Sequence, residues 1–382
     1  MKRRALYFNA SHLRCDFSHS NLFLSENKLH LWQKRNRLRE FLFATSQHSR
    51  SEMRVFMQKY IIGIDIGGTK CAVILGNVEG EGQDKAITIL ERSSFATKDF
   101  EGPVPAIRKI TELIYGLLNE KRLSVEQIAG IGISCGGPLD HVKGIIQSPP
   151  NLYGWDNVPI VKMLEEEFHI PAYLQNDANA CALAEWKMGA AKGYQNVIFL
   201  TFGTGLGAGL ILNGQLYNGA NDMAGEVGHI RMTQDGPVGY GKAGSFEGYC
   251  SGGGIAQIAR AKVLEKLQMG EKPMLCPSPE QLNGLSAKSV ADAARKGDPL
   301  ALDIYAASGR YLGLGLSLLI DILNPEIIVI GSIYERCEDL LSETMYQMIE
   351  KEALELSRKG CRIVPACLGD KIGDYAALCV GI

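Results

Sequence analysis

The first 56 residues contain neither glycine nor proline, so all 43 glycines and all 14 prolines fall in residues 57–382. That stretch lacks the turn chemistry that folded domains place between elements. It carries 11 Lys and Arg against 4 Asp and Glu, a net of +7, whereas the remainder has 29 against 38, a net of −9. The two parts do not read as one design. The ten cysteines are scattered and include no C-x-x-C pair, which argues against a disulfide framework and fits a reduced, cytoplasmic chain. No uninterrupted apolar run reaches the ~18–20 residues that span a bilayer, so no membrane partner is expected. A formal net charge of −2 supplies no whole-chain attraction to nucleic acid, and none is expected as a partner. The G-x-x-x-x-G-K-[ST] pattern is also missing, which excludes a P-loop nucleotide site.

Three readings of the basic head compete. A targeting peptide would need a clean apolar segment, but Asn9, Ser11, His12, Arg14 and Asp16 interrupt the run after Arg4. A DNA-binding arm would use Lys34, Arg35, Arg37 and Arg39 as phosphate contacts. A start-site artefact would make Met57 or Met53 the first residue, and Met57 directly before a buried strand is a natural beginning. The artefact or a disordered tail is the preferred expectation for residues 1–56.

From Tyr60 the text becomes regular. An apolar strand (Tyr60–Ile66), a glycine turn (Gly67-Gly68-Thr69-Lys70) and a returning strand (Cys71–Gly76) are followed later by a second set: Asn196–Phe202, Gly203–Gly209 and Leu210–Asn213. Strand, glycine turn and strand written twice predict an internal duplication, with an α/β class in two lobes. Helical spacing covers Val104–Lys121, Val161–Phe168, Ala178–Gly189, Ser308–Leu323 and Met345–Leu356, and Ile327–Ile330 reads as a buried strand.

The second turn opens like a dinucleotide fingerprint, but it leads into Leu210-Ile-Leu rather than a helix, so that reading fails on context. Two glycine turns can present backbone N–H groups to phosphate oxygens; they can also be no more than tight hairpins. Asp65, just ahead of the first turn, is placed to hold Mg²⁺ through water. Asp177, in Gln175-Asn-Asp-Ala-Asn179, opens a helix. A capping carboxylate and a base that takes a hydroxyl proton both suit that position. Glu226 and His229 in Gly225-Glu-Val-Gly-His229, with Glu247, offer the acceptors and donors that vicinal sugar hydroxyls need.

Asp65-Ile-Gly-Gly-Thr-Lys70, Asn176-Asp-Ala-Asn-Ala180, Phe202-Gly-Thr-Gly-Leu-Gly207 and Gly225–His229 resemble the ROK family (repressor, open reading frame, kinase). Gly136–Asp140, Ser148–Trp155, Leu323–Gly331 and Leu368–Ala377 extend the resemblance over residues 58–382. It implies an actin-like ATPase fold, ribonuclease H-like and duplicated, with ATP and a sugar between two lobes. The implied organisation is a small lobe over 57–175 with 369–382 packing back on it, and a large lobe over 176–368. It implies Asp177 as the base that takes the proton of a sugar 6-hydroxyl. Asn151, Asn176, Glu226, His229 and Glu247 become sugar contacts, Gly67–Thr69 with Lys70 and Gly203-Thr204-Gly205 phosphate loops, and Gly331-Ser332 the adenosine-side turn. Homodimers or homotetramers, ATP and Mg²⁺, and glucose or a related hexose follow from the same resemblance. A sugar-responsive transcriptional regulator of the family, or a silent sugar-binding protein, is the alternative.

One departure stands out. Family kinases commonly bind zinc through the histidine of the Gly-His pair and three cysteines of a CxCGxxGCxE run, and here those positions hold Val238, Tyr240 and Ser245. Without thiolates His229 cannot hold the ion alone, so no zinc is expected. The loop is expected to be held by packing of Val238, Tyr240 and Phe246 instead.

Overall fold

A computed structural model describes residues 60–80 and 85–382. The chain divides into two units, Met1–Met57 and Gln58–Ile382, and every described residue lies in the second. The expectations for residues 1–56 and for Met57 as a start therefore lie outside the described residues.

The strands are β1 (Tyr60–Ile66), β2 (Lys70–Glu79), β3 (Ala86–Ala96), β4 (Ile128–Cys135), β5 (Leu139–Asp140), β6 (Ile145–Ile146), β7 (Ala172–Asn176), β8 (Val197–Phe202), β9 (Leu206–Leu212), β10 (Gln215–Leu216), β11 (Val238–Gly239), β12 (Lys242–Ala243), β13 (Ile327–Ile330) and β14 (Arg362–Pro365). The first sheet runs β3-β2-β1-β4-β7 and the second β10-β9-β8-β13-β14. In each, an antiparallel hairpin with a third antiparallel strand occupies one side, and two parallel strands the other. The duplication expected from the two glycine turns is thus present at the level of strand order. The β1–β2 turn and the β8–β9 turn occupy equivalent places in the two sheets.

Ten helices complete the described residues: α1 (Pro103–Lys121), α2 (Ile160–Phe168), α3 (Asp177–Met188), α4 (Phe246–Tyr249), α5 (Gly252–Gln268), α6 (Ala287–Arg295), α7 (Pro299–Leu323), α8 (Ile333–Glu352), α9 (Glu355–Gly360) and α10 (Ile372–Val380). Their ends follow local chemistry. Helix α1 starts with proline at its first position and ends at Arg122 in the left-handed region. Helix α7 begins where the Asp298 carboxylate accepts from the Ala301 N–H (3.0 Å), and it stops at left-handed Asn324 before Pro325. It therefore starts nine residues earlier than its glycine-bearing half suggests. Its 25 residues are long and apolar enough to cross a bilayer, but Ile304, Leu312, Leu316 and Ile320 are buried in the core against α8. The helix expected over Met345–Leu356 is the second half of α8, which ends at Glu352; extended Ala353 breaks it from α9.

The first sheet buries Ile62, Ile64, Val73, Ile131 and Ile133 against α1 and α2, and the second buries Ile198, Leu200, Ile328 and Ile330 against α5–α8. Helices α3 and α10 lie between the two cores. Ala180 and Ala184 of α3 pack with Ala376, Ala377 and Leu378 of α10 and with Ile61 and Ile74. On the other side Ala182 of α3 joins Val197, Phe199 and Ile211. Small side chains let these elements approach closely. Gly209 shows the limit: a Cβ there would meet the Ala178 carbonyl oxygen and the Ala182 Cβ, both at 2.5 Å. This corrects the expected turn over Gly203–Gly209. Gly207 and Gly209 belong to β9, and Gly209 is glycine to admit α3.

Glu185 ties these central helices down. Its fully buried carboxylate accepts from the N–H groups of Ala190 (2.7 Å), Cys367 (3.0 Å) and Leu368 (3.1 Å), so α3 is fastened to the segment that leads into α10. Replacing Glu185 by Ala removes the acceptor of three part-buried N–H groups, and the expected cost is about 1–3 kcal/mol. Urea unfolding of Glu185→Ala should show this as a lowered midpoint; an unchanged midpoint would mean that solvent takes over the three N–H groups.

Candidate active site

Asp65 is the sixth residue of β1, pointing off the sheet next to the first glycine turn, and Asp177 is the first residue of α3, directly after β7. Asn176 caps α3 by accepting from the Ala178 N–H at 3.0 Å. The helix-cap reading of this motif therefore belongs to Asn176, which frees Asp177 to face outward. Asp177 opens to solvent on one side. Protein around the carboxyl still strips away enough water to push it above the usual carboxylate range, and the Ala178 N–H, 2.8 Å from Oδ1, pulls the other way.

Other carboxylates converge on the same region. Burial, then the charges of Asp374 and Asp177, push Asp65 up to about 6, while Lys70 and Arg92 oppose the shift. Burial raises Glu226 as well, with Asp177 and Glu247 adding to it and His229 countering. Glu247 accepts from the Leu206 N–H at 3.0 Å, and a Cβ on Gly205 would stand 2.7 Å from its Oε2. The first acidic residue of α4 is thus pinned against the second glycine turn. A methyl on Gly136 would lie 3.8 Å from Asn151 Oδ1 and 4.0 Å from Asp177 Oδ2, so both side chains look into one space. At Gly68 a Cβ would sit 2.5 Å from the Asn151 carbonyl oxygen; only glycine lets the first turn and the Asn151 loop touch.

The two turns are closed by backbone bonds, Gly67 N–H to the Lys70 carbonyl (3.0 Å) and Gly203 N–H to the Gly205 carbonyl (3.1 Å). Thr69, Lys70 and Thr204 are exposed at their tips. Gly331 and Ser332 follow β13; the Ser332 N–H donates to Glu335 (2.6 Å), and a Cβ on Gly203 would come 3.6 Å from Ser332 Oγ. The structure therefore brings every sequence-predicted site residue into one connected region, open to solvent. Neither of two cavities, one of 150 Å³ lined by Trp186 and Lys187 and one of 520 Å³ lined by His141 and Tyr173, includes Asp65 or Asp177.

Two features escaped the sequence reading. Asp374 of α10 faces Asp65 and pairs with Arg92 at 2.9 Å; its sequence signal was a Gly-Asp pair whose partner is 309 positions away. The N-terminus of α5 abuts the second turn, with Gly252 N–H donating to the Gly203 carbonyl at 2.8 Å. The three glycines after Ser251 were the only hint.

The loop that lacks cysteines is built differently from expectation. Phe246 is fully buried, but Val238 is 46% exposed and Tyr240 75% exposed, so packing by those two does not hold it. They lie on a β11–β12 hairpin whose turn residues Tyr240 and Gly241 are both left-handed, which directs the tyrosine outward. Hydrogen bonds hold the loop instead. Gln257 accepts from the Val238 N–H (2.9 Å) and donates to its carbonyl (2.8 Å), Arg231 donates to the Gln234 and Ala243 carbonyls, and Lys242 donates to the His229 carbonyl (2.7 Å). Ser245 Oγ accepts from the Gly248 N–H at 3.1 Å and so caps α4, the helix that carries Glu247.

Two sheets of equivalent strand order, each bringing a glycine hairpin to the same group of carboxylates, make this an actin-like ATPase fold. The chain belongs to the ROK family, whose profile matches residues 61–379. It is 32% identical over 317 residues to a glucokinase of Halalkalibacterium halodurans, covering 82% of this chain and 92% of that one. The crystal structure of a ROK family glucokinase from Streptomyces griseus in complex with glucose and AMPPNP matches with a TM-score of 0.64 at 27% identity, over 84% of this chain and 99% of that chain. A xylose repressor of Caldicellulosiruptor bescii is 29% identical over 82% of this chain and 78% of its own length.

Proposed function

We infer that the chain is an ATP-dependent hexose kinase that transfers the γ-phosphoryl group to a sugar hydroxyl, the 6-hydroxyl of glucose or a close relative. The observation that carries this reading is the convergence of Asp65, Asp177, Glu226 and Glu247 between two equivalent glycine turns. Phosphoryl transfer asks for positioning and charge neutralisation more than for covalent chemistry, and this arrangement suits both. The glucokinase relatives support the same activity.

In this reading Asn151, Asn176, Glu226, His229 and Glu247 hydrogen-bond the sugar, and Asp177 accepts the hydroxyl proton as the oxygen attacks phosphorus. A base pushed above the ordinary carboxylate range is a better proton acceptor. With the Gly67 and Gly203 N–H groups closing the turns, the backbone N–H groups of Gly68, Thr69, Thr204 and Gly205, with Lys70, receive the phosphates, and Gly331-Ser332 flanks the adenosine. Clustered carboxylates that raise one another fit a divalent cation, and Asp65 would hold Mg²⁺ through water. Bound Mg²⁺ supplies charge neutralisation on the phosphate oxygens. Closure of residues 57–175 (with 369–382) on 176–368 would exclude water from the open site. A zinc-free loop, a cytoplasmic location and a homodimer or homotetramer belong to the same proposal.

The regulator reading draws on the xylose repressors, but a retained base and both phosphate turns favour the enzyme. Coupled ATP consumption across glucose, mannose, fructose, allose and N-acetylated hexosamines tests it. Turnover on at least one hexose is expected, together with no DNA retardation by chains starting at Met1 or Met57. Sugar binding without ATP consumption would sink the kinase reading.

A further inference from the structure

A chain of hydrogen bonds starts at the backbone beside Asp177, crosses to Asn218 after β10 of the second sheet, and ends on His141 in the β5–β6 turn, back on the first sheet's side. The Asn176 N–H donates to Gln175 Oε1 at 2.8 Å, and Asn179 Nδ2 donates to the same oxygen at 3.1 Å. Both donors identify that atom as the oxygen, so Gln175 Nε2 is the end that reaches Asn218, donating to Oδ1 at 3.1 Å. Asn179 Nδ2 donates to Asn218 Oδ1 too, at 3.0 Å. Asn218 must then turn its Nδ2 toward His141 Nε2, 3.2 Å away. An amide NH₂ can only donate, so Nε2 accepts and the ring proton sits on Nδ1. That N–H donates to Asp222 Oδ1, and Asp222 Oδ2 accepts the His141 backbone N–H at 2.8 Å. One backbone N–H thus dictates, through the side chains of Gln175 and Asn218, the tautomer of His141. Most of the chain is sheltered, with Gln175 5% exposed, Asn179 1% and the Asp222 side chain 8%, while the His141 side chain is 32% exposed on the wall of the larger cavity.

His141 lies in the β5–β6 turn, while Asn218 and Asp222 belong to the segment between β10 and Glu226. That segment closes on itself through Ala224 N–H to the Asn218 carbonyl (3.2 Å) and continues through Gly225, whose carbonyl accepts from Ala208 of β9 (2.8 Å). Asn218 and Asp222 are thus tied through a short stretch of backbone to Gly225, the residue before Glu226. We propose that His141, Asp222 and Asn218 are positioning residues that hold Glu226 in register with Asn176 and Asp177, so that sugar recognition depends on the tautomer of His141. The proposal rests on Glu226 contacting the sugar.

Asp222→Asn is nearly isosteric and tests it. With its oxygen kept on the His141 backbone N–H, the new amide NH₂ faces Nδ1, which must then accept. The ring proton moves to Nε2 and meets the Asn218 NH₂, donor against donor. The expected result, with glucose as acceptor, is a KM for sugar raised roughly tenfold, with kcat and the KM for ATP within about twofold of the parent and an unchanged melting temperature.

The double variant Asn218→Asp, Asp222→Asn reverses every polarity. A carboxylate at 218 accepts from Gln175, Asn179 and Nε2–H, while the amide at 222 donates to Nδ1. It should regain most of the lost sugar affinity. A sugar KM unchanged in Asp222→Asn, or a double variant no better than the single, overturns the positioning role. Glu226→Gln separates two failures. An unchanged sugar KM in both Glu226→Gln and Asp222→Asn withdraws the sugar contact of Glu226 and the proposal with it. A raised KM in Glu226→Gln alone overturns only the positioning role.

Discussion

Asp177→Asn should lower turnover by about 10³-fold, within the ~10²–10⁴-fold that a positioned base contributes, while glucose still binds. Asp177 shares the space in front of Gly136 with the Asn151 amide and lies within the field of Asp65 and Glu226. Nothing in that set other than a carboxylate can take a proton from a neutral hydroxyl. An asparagine keeps the shape, and its Oδ1 can still accept from the Ala178 N–H that lies 2.8 Å from Asp177 Oδ1. The fold should therefore survive. Removing a carboxylate that burial has raised takes away a desolvation cost, so stability at neutral pH should hold or rise slightly. Steady-state kinetics beside glucose titration by calorimetry decides the matter. Near-parental turnover in Asp177→Asn would take the base role away from this residue.

What could be read in the sequence was what local chemistry encodes. The hairpins announced themselves because an apolar run, a glycine cluster and a second apolar run are complete signals within twenty residues, and their recurrence made the duplicated sheets legible. The candidate side chains proposed for the site (Asp65, Thr204, Asp177, Glu226, Glu247) sit in short glycine- or asparagine-rich motifs of the same local kind, so they were legible as candidates. Long-range effects were not. Asp374 reaches Asp65 only because α10 returns across the first sheet, packing Ala376–Leu378 on Ile61 and Ile74, and no local pattern states that return. Gly207 and Gly209 looked like turn residues since a strand that must admit a helix uses the same residue type as a turn. Hydrophobicity alone makes Val238 and Tyr240 look like packing residues, whereas two left-handed turn residues send Tyr240 to solvent and hydrogen bonds from Gln257 and Arg231 hold the loop. The His141 chain is beyond sequence for a further reason: its meaning lies in which atom donates, and only the joint geometry of five side chains decides that.

Asp65→Asn carries the second large effect, and its two consequences point in opposite directions. The ordinary carboxylate value is 3.8, and burial with two neighbouring carboxylates raises Asp65 to about 6. For a raised carboxyl the sign runs against stability at high pH. Below about 4 both folded and unfolded chains hold the proton and nothing is lost. Between about 4 and 6 the unfolded chain ionises first and gains. Above about 6 the folded protein bears the full penalty, about 3 kcal/mol for a shift of roughly two units. Asparagine at 65 removes that penalty, so the variant should be more stable than the parent at pH 8 and lose its advantage as pH falls through 6 toward 4. Catalysis should move the other way. A divalent cation would favour the ionised form and pull the carboxyl back down; without the charge, kcat/KM for Mg·ATP should fall about 10²-fold or more. In the parent the same quantity should decline as pH drops through about 6, because protonated Asp65 cannot attract the cation. Thermal unfolding at pH 4, 6 and 8, set beside kcat/KM for Mg·ATP over the same range, reads both arms. A residue kept only for packing would lose stability and activity together, whereas a carboxylate held under strain for a cation gives up stability at neutral pH in exchange for the charge that chemistry uses.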